Sequence, residues 1–393
     1  MLIGVVGKPS AGKSTFFKSS TLVNVDIADY PFTTIKPNHA VAHVRVKCVE
    51  NEFKIKCNPQ KGFCKSGTRF VPIELLDVAG LVPGAHEGKG MGNQFLDDLR
   101  KGDCLVHVVD ASGGTNEKGE RIKNGTHNPC KDVKFLEEEI DMWYYNILKR
   151  AWSGISKTKT IEDAPKALYK QFSGLGATEP MAKNAPIPKK PLRNWDDEEL
   201  KSIAIYFRKK TKPLLIAANK SDIPGADKNV DKMKKEFPDY TIIPCSSESE
   251  IALREADKKG LINYVPGSNT FEIVKEKELS EKQVSALEFI QKNVLDKYGS
   301  TGVQEVLDKA IFELLNVIAI FPGGVKGFAD KHGNVLPDCF LLPPNSTALD
   351  FAYKIHQDLG DKFIKAIDVR TKRLLGKTHK LKHRDVIEIV SQK

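Results

Sequence analysis

The chain reads as an α/β protein: a wound sheet with helices on its faces, interrupted by a helical insertion and followed by a separate α+β module. Three observations predict this. Short apolar runs alternate with helical periodicities through the first two thirds. A glycine-rich turn joins the first run directly to a helix. The last ~75 residues then switch to strand signals around a single helix.

At 393 residues the chain is long enough for two or three domains. Leu2 to Val6 is a short apolar run that reads as a buried strand. Ala40 to Val46 and Phe70 to Leu76 both alternate, which predicts an antiparallel hairpin with an insertion at its tip. Cys104 to Val109, Pro213 to Ala218 and Thr241 to Ile243 are further strand signals. Between the first two of these, Phe135, Leu136, Ile140, Trp143, Tyr144, Ile147 and Leu148 recur at helical intervals. Ala185 to Pro191 is a proline-rich basic connection. Asp196 with Glu199 then opens a helix through Phe207 in capping-box style. Lys282 to Leu295 and Val303 to Leu315 predict two more helices split at Tyr298-Gly299-Ser300. Ala348 to Leu359 predicts one helix of the C-terminal module, and Val386 to Val390 its last strand. The expected domains are 1–134 and 213–317 for the two parts of the sheet domain, 135–212 for the insertion and 318–393 for the module.

Composition narrows the function classes. No segment offers the ~20 apolar residues of a membrane span, and no secretory signal is read at Met1, so the expected location is the cytoplasm. Cys48, Cys57 and Cys64 are spaced by nine and seven residues, without the tight Cys pair of a zinc site. The seven cysteines therefore read as free thiols. Net charge is +10, and half of that excess lies beyond residue 317. Arg370, Lys372, Arg373, Lys377, Lys380, Lys382 and Arg384 form a run without a single acid, which suits tracking the phosphates of a polyanionic partner. No aromatic residue is interleaved, so the expected contact is to backbone phosphates, with no DNA sequence reading.

The chemistry is carried by motifs in a fixed order. Gly7, Lys8, Pro9, Ser10, Ala11, Gly12, Lys13, Ser14 and Thr15 follow the first strand. A glycine turn at a helix N-terminus bares backbone N–H groups for a row of phosphates. Lys13 adds a cation for the β- and γ-phosphates, and the Ser14 hydroxyl a ligand for Mg2+. Thr33 and Thr34 lie in a proline-punctuated loop, where a threonine hydroxyl, Thr34 first and Thr33 as fallback, joins the Mg2+ shell. Asp77 ends a strand three residues before Gly80, so a carboxylate holds Mg2+ through water while the Gly80 N–H meets the γ-phosphate. The glycines at 84, 88, 90 and 92 suit a segment ordered by that phosphate. Asn219-Lys220-Ser221-Asp222 follows a buried strand. The Asp222 carboxylate can accept both the ring N–H and the amine of guanine, a donor pair that adenine lacks. Ser246 and Ser247 follow the next strand and are placed to close over the base. Lys13, Thr34 and Gly80 are the expected catalytic groups; Ser14, Thr34 and Asp77 are the expected metal ligands.

The segments GKPSAGKST, YPFTTIKPN, DVAGLVPGAHEGKGMGNQF, NKSD and YGSTGVQEVL together resemble GTPases of the Obg superfamily, specifically the YchF branch and its archaeal YchF-like members. Residues 345–360 resemble a TGS domain, a β-grasp fold of proteins that engage RNA or ribosomes. The resemblance spans nearly the whole chain. It implies a P-loop NTPase fold, GTP or GDP and Mg2+ as ligands, and slow intrinsic hydrolysis. Typical bacterial and eukaryotic YchF members carry Asn-x-x-Glu and favour ATP, whereas Asp222 points back to GTP. Ser10 stands where many relatives use an Asn to help bind K+, which leaves K+ a weak claim. Leu81 replaces the water-orienting Gln of Ras-type enzymes; His86 is the nearest polar substitute. The competing reading is an RNA- or ribosome-binding module with an ATPase or vestigial nucleotide site.

Overall fold

The computed structural model describes residues 1–21, 38–78, 98–330 and 332–392. The expected sites at Thr33, Thr34, Gly80, Leu81 and His86, and the glycines at 84, 88, 90 and 92, lie outside them. Strands β1 (Leu2–Val6), β2 (His39–Lys47), β3 (Phe63–Lys65), β4 (Thr68–Asp77), β5 (Cys104–Asp110), β6 (Leu214–Asn219) and β7 (Ile242–Pro244) form one sheet. Its order is β2-β4-β1-β5-β6-β7, with β3 also paired to β4. β2 and β4 pair antiparallel over nine residues, while β1, β5, β6 and β7 run parallel, as does β1 with β4. Being central and parallel, β1, β5 and β6 are covered on both faces, which is why they read as continuous apolar runs.

The period of two in these strands divides the core. Val6, Leu105, Val109, Leu214 and Ile216 face one side. There they meet the 29-residue helix Cys130–Thr158 and the helix Asp197–Thr211. The insertion is therefore a helical layer on the sheet, its own core stacked from Tyr144, Phe172 and Phe207 at 5.7 and 4.5 Å. Asp196 and Glu199 form the expected capping box, but the helix continues to Thr211 because Tyr206, Phe207 and Thr211 keep finding partners. Within this layer Arg208, its side chain 3 % exposed, donates to Asp141 Oδ1 at 2.6 Å, to Glu137 Oε1 at 3.1 Å and to the Tyr240 hydroxyl at 3.2 Å.

Ile3, Val5, Val106, Val108, Leu215 and Ala217 face the other side. They meet helix Lys13–Thr21 and the helix Val303–Lys309 with its wider turn to Leu314. A hairpin, β8 (Ile262–Tyr264) with β9 (Phe271–Ile273), packs beside helices Ser247–Lys258 and Glu281–Ile290.

The C-terminal domain is a five-stranded sheet of β10 (Ile318–Pro322), β11 (Phe340–Leu342), β12 (Phe363–Asp368), β13 (Leu374–Leu375) and β14 (Val386–Ser391), ordered β11-β10-β14-β12-β13. β10 serves two cores: Ala319 and Phe321 pack with the first domain, and Ile320 with Phe351 of the second. The single helix expected from Ala348 to Leu359 is two, Ala348–Ile355 and Gln357–Asp361. His356, at φ −161°, breaks it and uses its own side chain to cap the second piece. No helix among the described residues is long and apolar enough to cross a membrane.

One expectation is corrected where the domains meet. Arg370 and Arg384 do not belong to a free basic run: both pair with Glu52, and Arg384 Nε also donates to the Lys47 carbonyl at 3.0 Å. The cause is Glu52, in the short helix Glu50–Phe53 of the β2–β3 connection, whose carboxylate meets both guanidiniums. Cys48, Cys57 and Cys64 are free thiols, as expected, and with Glu50 their donor atoms converge within 4.8 Å.

Burial also sets a pH response. His43 and His107 are buried, and loss of hydration, aided by Arg254 and Lys8 respectively, pushes both imidazoles down to about 3. Folded, they stay neutral where unfolded imidazoles take up protons. Stability should therefore be complete above about 6.5 and fall as pH drops from there toward 3, by up to ~1.4 kcal/mol per pH unit for each histidine. Urea unfolding between pH 7 and pH 4 measures the slope, and His107→Gln should reduce it (pH values roughly bracketing the window).

Candidate nucleotide site

The loop after β1 is shaped by close approaches. A Cβ at Gly7 would sit 2.6 Å from the Val108 carbonyl, so only glycine lets β1 leave the sheet so near β5. Gly12 has φ +91°, and a Cβ there would lie 2.2 Å from Asn219 Nδ2. Helix Lys13–Thr21 then begins, with no acid in its first turn to compete for the exposed N–H groups. The loop from Lys8 to Thr15 borders a cavity of about 550 Å³. Lys13 Nζ pairs with the Asp77 carboxylate at the tip of β4, so the expected phosphate lysine and the expected metal carboxylate are neighbours. Ser14 lines the same cavity. Lys8 lines it too, but its ammonium is turned away, 2.9 Å from the Thr115 carbonyl and 2.8 Å from Asp132. It is left with its backbone for phosphate.

The second motif reaches this loop directly. Asn219 Nδ2 donates to the Ala11 carbonyl at 3.2 Å, and its Oδ1 accepts from the Ser247 N–H at 3.1 Å and hydroxyl at 2.9 Å. Lys220 Nζ donates to the Ser10 carbonyl at 2.9 Å and to Asp110 Oδ2 at 2.8 Å. Asp222, two residues on, accepts from the Ser246 hydroxyl at 2.7 Å. Ser246 and Ser247 thus hold the two motif side chains in place. Gly12→Ala should push Asn219 away, and weaken nucleotide binding ~10-fold or more if that bond and the loop shape are lost together. Fluorescent-nucleotide titration checks it.

Sequence reasoning missed several participants. Asp110, 1 % exposed, anchors Lys220 while also accepting from Ser112 and Thr115. Ser112, Gly114, Arg121 and Asn124, from the loop after β5, line the cavity opposite the phosphate loop. The Ser-Gly-Gly run after the strand tip was the available signal. The Tyr298-Gly-Ser-Thr301 segment also gains a role. The Tyr298 hydroxyl donates to the Ser221 carbonyl at 3.1 Å, and the Ser246 N–H to the Thr301 carbonyl at 2.9 Å. Both turns that carry the base-side motifs are buttressed from there.

Residues 2–137 match the 50S ribosome-binding GTPase family. Residues 217–324 match the G4 motif-containing domain of Obg-like GTPases of the YGR210-like type, and residues 328–391 match the TGS domain. A GTP-binding protein of Methanocaldococcus jannaschii is 48% identical over 99% of both chains. A ribosome-binding ATPase YchF of Bacillus subtilis is 28% identical over 95% of this chain and 89% of its own. The crystal structure of a GTP-binding protein from Pyrococcus horikoshii superposes with a TM-score of 0.77 at 35% identity, covering 100% of both chains. With its phosphate loop, its Asn-Lys-x-Asp turn and its C-terminal TGS domain in one fold, the chain belongs to the YchF-like GTP-binding proteins of the Obg family.

Proposed function

We propose that this protein binds and slowly hydrolyses GTP as a switch that acts with a ribosome or RNA. The observation that carries the reading is the direct tie between the two motifs: Asn219 and Lys220 bond the phosphate loop itself, and Asp222 follows two residues later. A base held at Asp222 and a triphosphate held at Gly7 to Thr15 would belong to one molecule. Bacterial relatives are named ATPases. Asp222 favours GTP for this chain, because only guanine offers a carboxylate two donors on one edge.

The residues fit GTP with Mg2+ by their donor set. Bared N–H groups and the Lys13 ammonium suit phosphate oxygens, while the Ser14 hydroxyl and Asp77 carboxylate are hard oxygen ligands. Bound, the ion would supply charge neutralisation at the β- and γ-oxygens. Lys13 and Asp77, which neutralise each other in the structure, would each find an opposite charge there. Thr34 and Gly80 complete the proposed set.

For the partner, the claim rests on Lys372, Arg373, Lys377, Lys380 and Lys382, since Arg370 and Arg384 are committed to Glu52. The test pairs two measurements. Phosphate release from GTP should be slow in the wild type and absent in Lys13→Ala. Ribosome cosedimentation should fall with added salt and in Lys377→Glu/Lys382→Glu. Rapid release from ATP with none from GTP would overturn the nucleotide assignment.

A further inference from the structure

The β2–β3 connection gathers an unusual set of donors. Cys48 follows β2, Glu50 opens a short helix, Cys57 lies in the loop beyond it and Cys64 sits in β3. Cys48 Sγ and Cys57 Sγ are 3.9 Å apart, and Cys64 Sγ is 3.2 Å from Glu50 Oε1. Thiolates about 2.3 Å from a tetrahedral zinc ion would be about 3.8 Å from one another. The other oxygen, Glu50 Oε2, accepts from the Cys57 N–H at 3.0 Å, which aims Oε1 into the group.

A second, independent observation comes from Arg69. Its side chain is fully buried (0 % exposed). Nη2 donates to the Leu336 carbonyl at 2.9 Å, while Nε and Nη1 have no hydrogen-bond partner among the described residues. Its charge lies within electrostatic range of Cys48 and Cys57. The Glu50 carboxylate also lies within electrostatic range of this guanidinium, but neutral thiols add no further counter-charge to offset the cost of burying it. Three thiolates and a carboxylate around a divalent cation carry a net charge of minus two, which would supply it.

We propose that Cys48, Cys57, Cys64 and Glu50 form a structural site for a tetrahedral, thiolate-binding divalent cation, zinc by preference. Three soft sulfurs select against Mg2+ and Ca2+, and the four protein ligands leave no open position for catalysis. Loading releases the three thiol protons to solvent and changes no oxidation state. A disulfide is the poorer account, because it would strand one thiol of three and forgo the thiolate charge beside buried Arg69.

The site's place gives it a purpose. The segment it would pin is the one on which the TGS domain rests: the Asn58 and Gln60 N–H groups donate to the Val335 and Pro337 carbonyls at 2.8 Å, and Glu52 holds Arg370 and Arg384. The metal would set how firmly the C-terminal domain is joined to the nucleotide domain.

The test uses the full chain purified under reducing conditions. Elemental analysis should find one zinc per chain. After chelation, Co2+ should restore one equivalent with thiolate-to-cobalt charge-transfer and tetrahedral d–d absorption, displaced by Zn2+. Cys64→Ser should abolish the tight site, Glu50→Gln should weaken it ~10- to 100-fold, and Cys339→Ala should leave it intact. Metal removal should speed hydrogen exchange at Asn58 and Gln60 ~10-fold or more. Should a serine variant fail to fold, the cobalt spectrum of the wild type decides alone. No charge-transfer absorption at one equivalent overturns the proposal.

Discussion

Asp222→Ala is expected to weaken GTP binding about a hundredfold while leaving ATP binding within about twofold of its wild-type value. The asymmetry follows from what the carboxylate would meet. Two guanine donors onto one charged acceptor contribute roughly 3 kcal/mol together, at ~1.5 kcal/mol each. Adenine presents no such pair, so it has nothing to lose. The variant should fold normally, because the Ser246 hydroxyl that now donates to Asp222 also lies 2.7 Å from the Ser249 hydroxyl. Asp222→Glu would keep the charge but displace it, and should retain part of the preference. Titration of each variant with GDP and ADP measures the effect; an equal loss for both nucleotides would place Asp222 in the turn's framework instead.

The largest stability effect is expected at Arg208→Met, a loss of ~3 kcal/mol. The guanidinium is 3 % exposed and holds Asp141 and Glu137, whose own side chains are 20 and 22 % exposed. Burial alone would lower the arginine, but the Asp141 carboxylate and the Tyr240 hydroxyl outweigh it and raise the guanidinium further above its ordinary range. Removing the cation leaves two acids 67 and 71 residues away in sequence side by side with only the Tyr240 hydroxyl between them and repulsion. Their partial access to water keeps the cost near the low end for a broken buried pair. Adding Asp141→Asn should recover part of the loss, since one of the stranded charges then disappears. Chemical denaturation of the three proteins checks both signs. A neutral single variant would mean that the helical layer does not depend on this cluster.

How much of this was legible depends on sequence distance. β1 with the phosphate loop, the β2–β4 pairing and the Asp196 capping box were readable because each is specified by neighbouring residues or by two clearly alternating runs. The helix break at His356 was not, since apolar spacing continues through Leu359 and only the backbone turn at His356 interrupts it. Glu52 was hidden for another reason. Its partners Arg370 and Arg384 are in a different domain, and a charged run looks the same whether its members are solvated or paired. The cysteine group was masked by its spacing: the chain between Cys48 and Cys64 folds back through a left-handed turn at Lys54 (φ 53°) and at Gly62 (φ 71°). Within the nucleotide site the motifs themselves were visible, whereas Asp110 and the Tyr298–Thr301 buttress were not, because their work is to hold other residues.

The central claim is that one molecule spans the Asp222 turn and the phosphate loop. Isothermal titration of the wild-type protein with GTP and with ATP, at matched Mg2+ and salt, tests it most directly. Tight 1:1 binding of GTP with ATP weaker by about a hundredfold is the expected result. Equal affinities, or a preference for ATP, would contradict it.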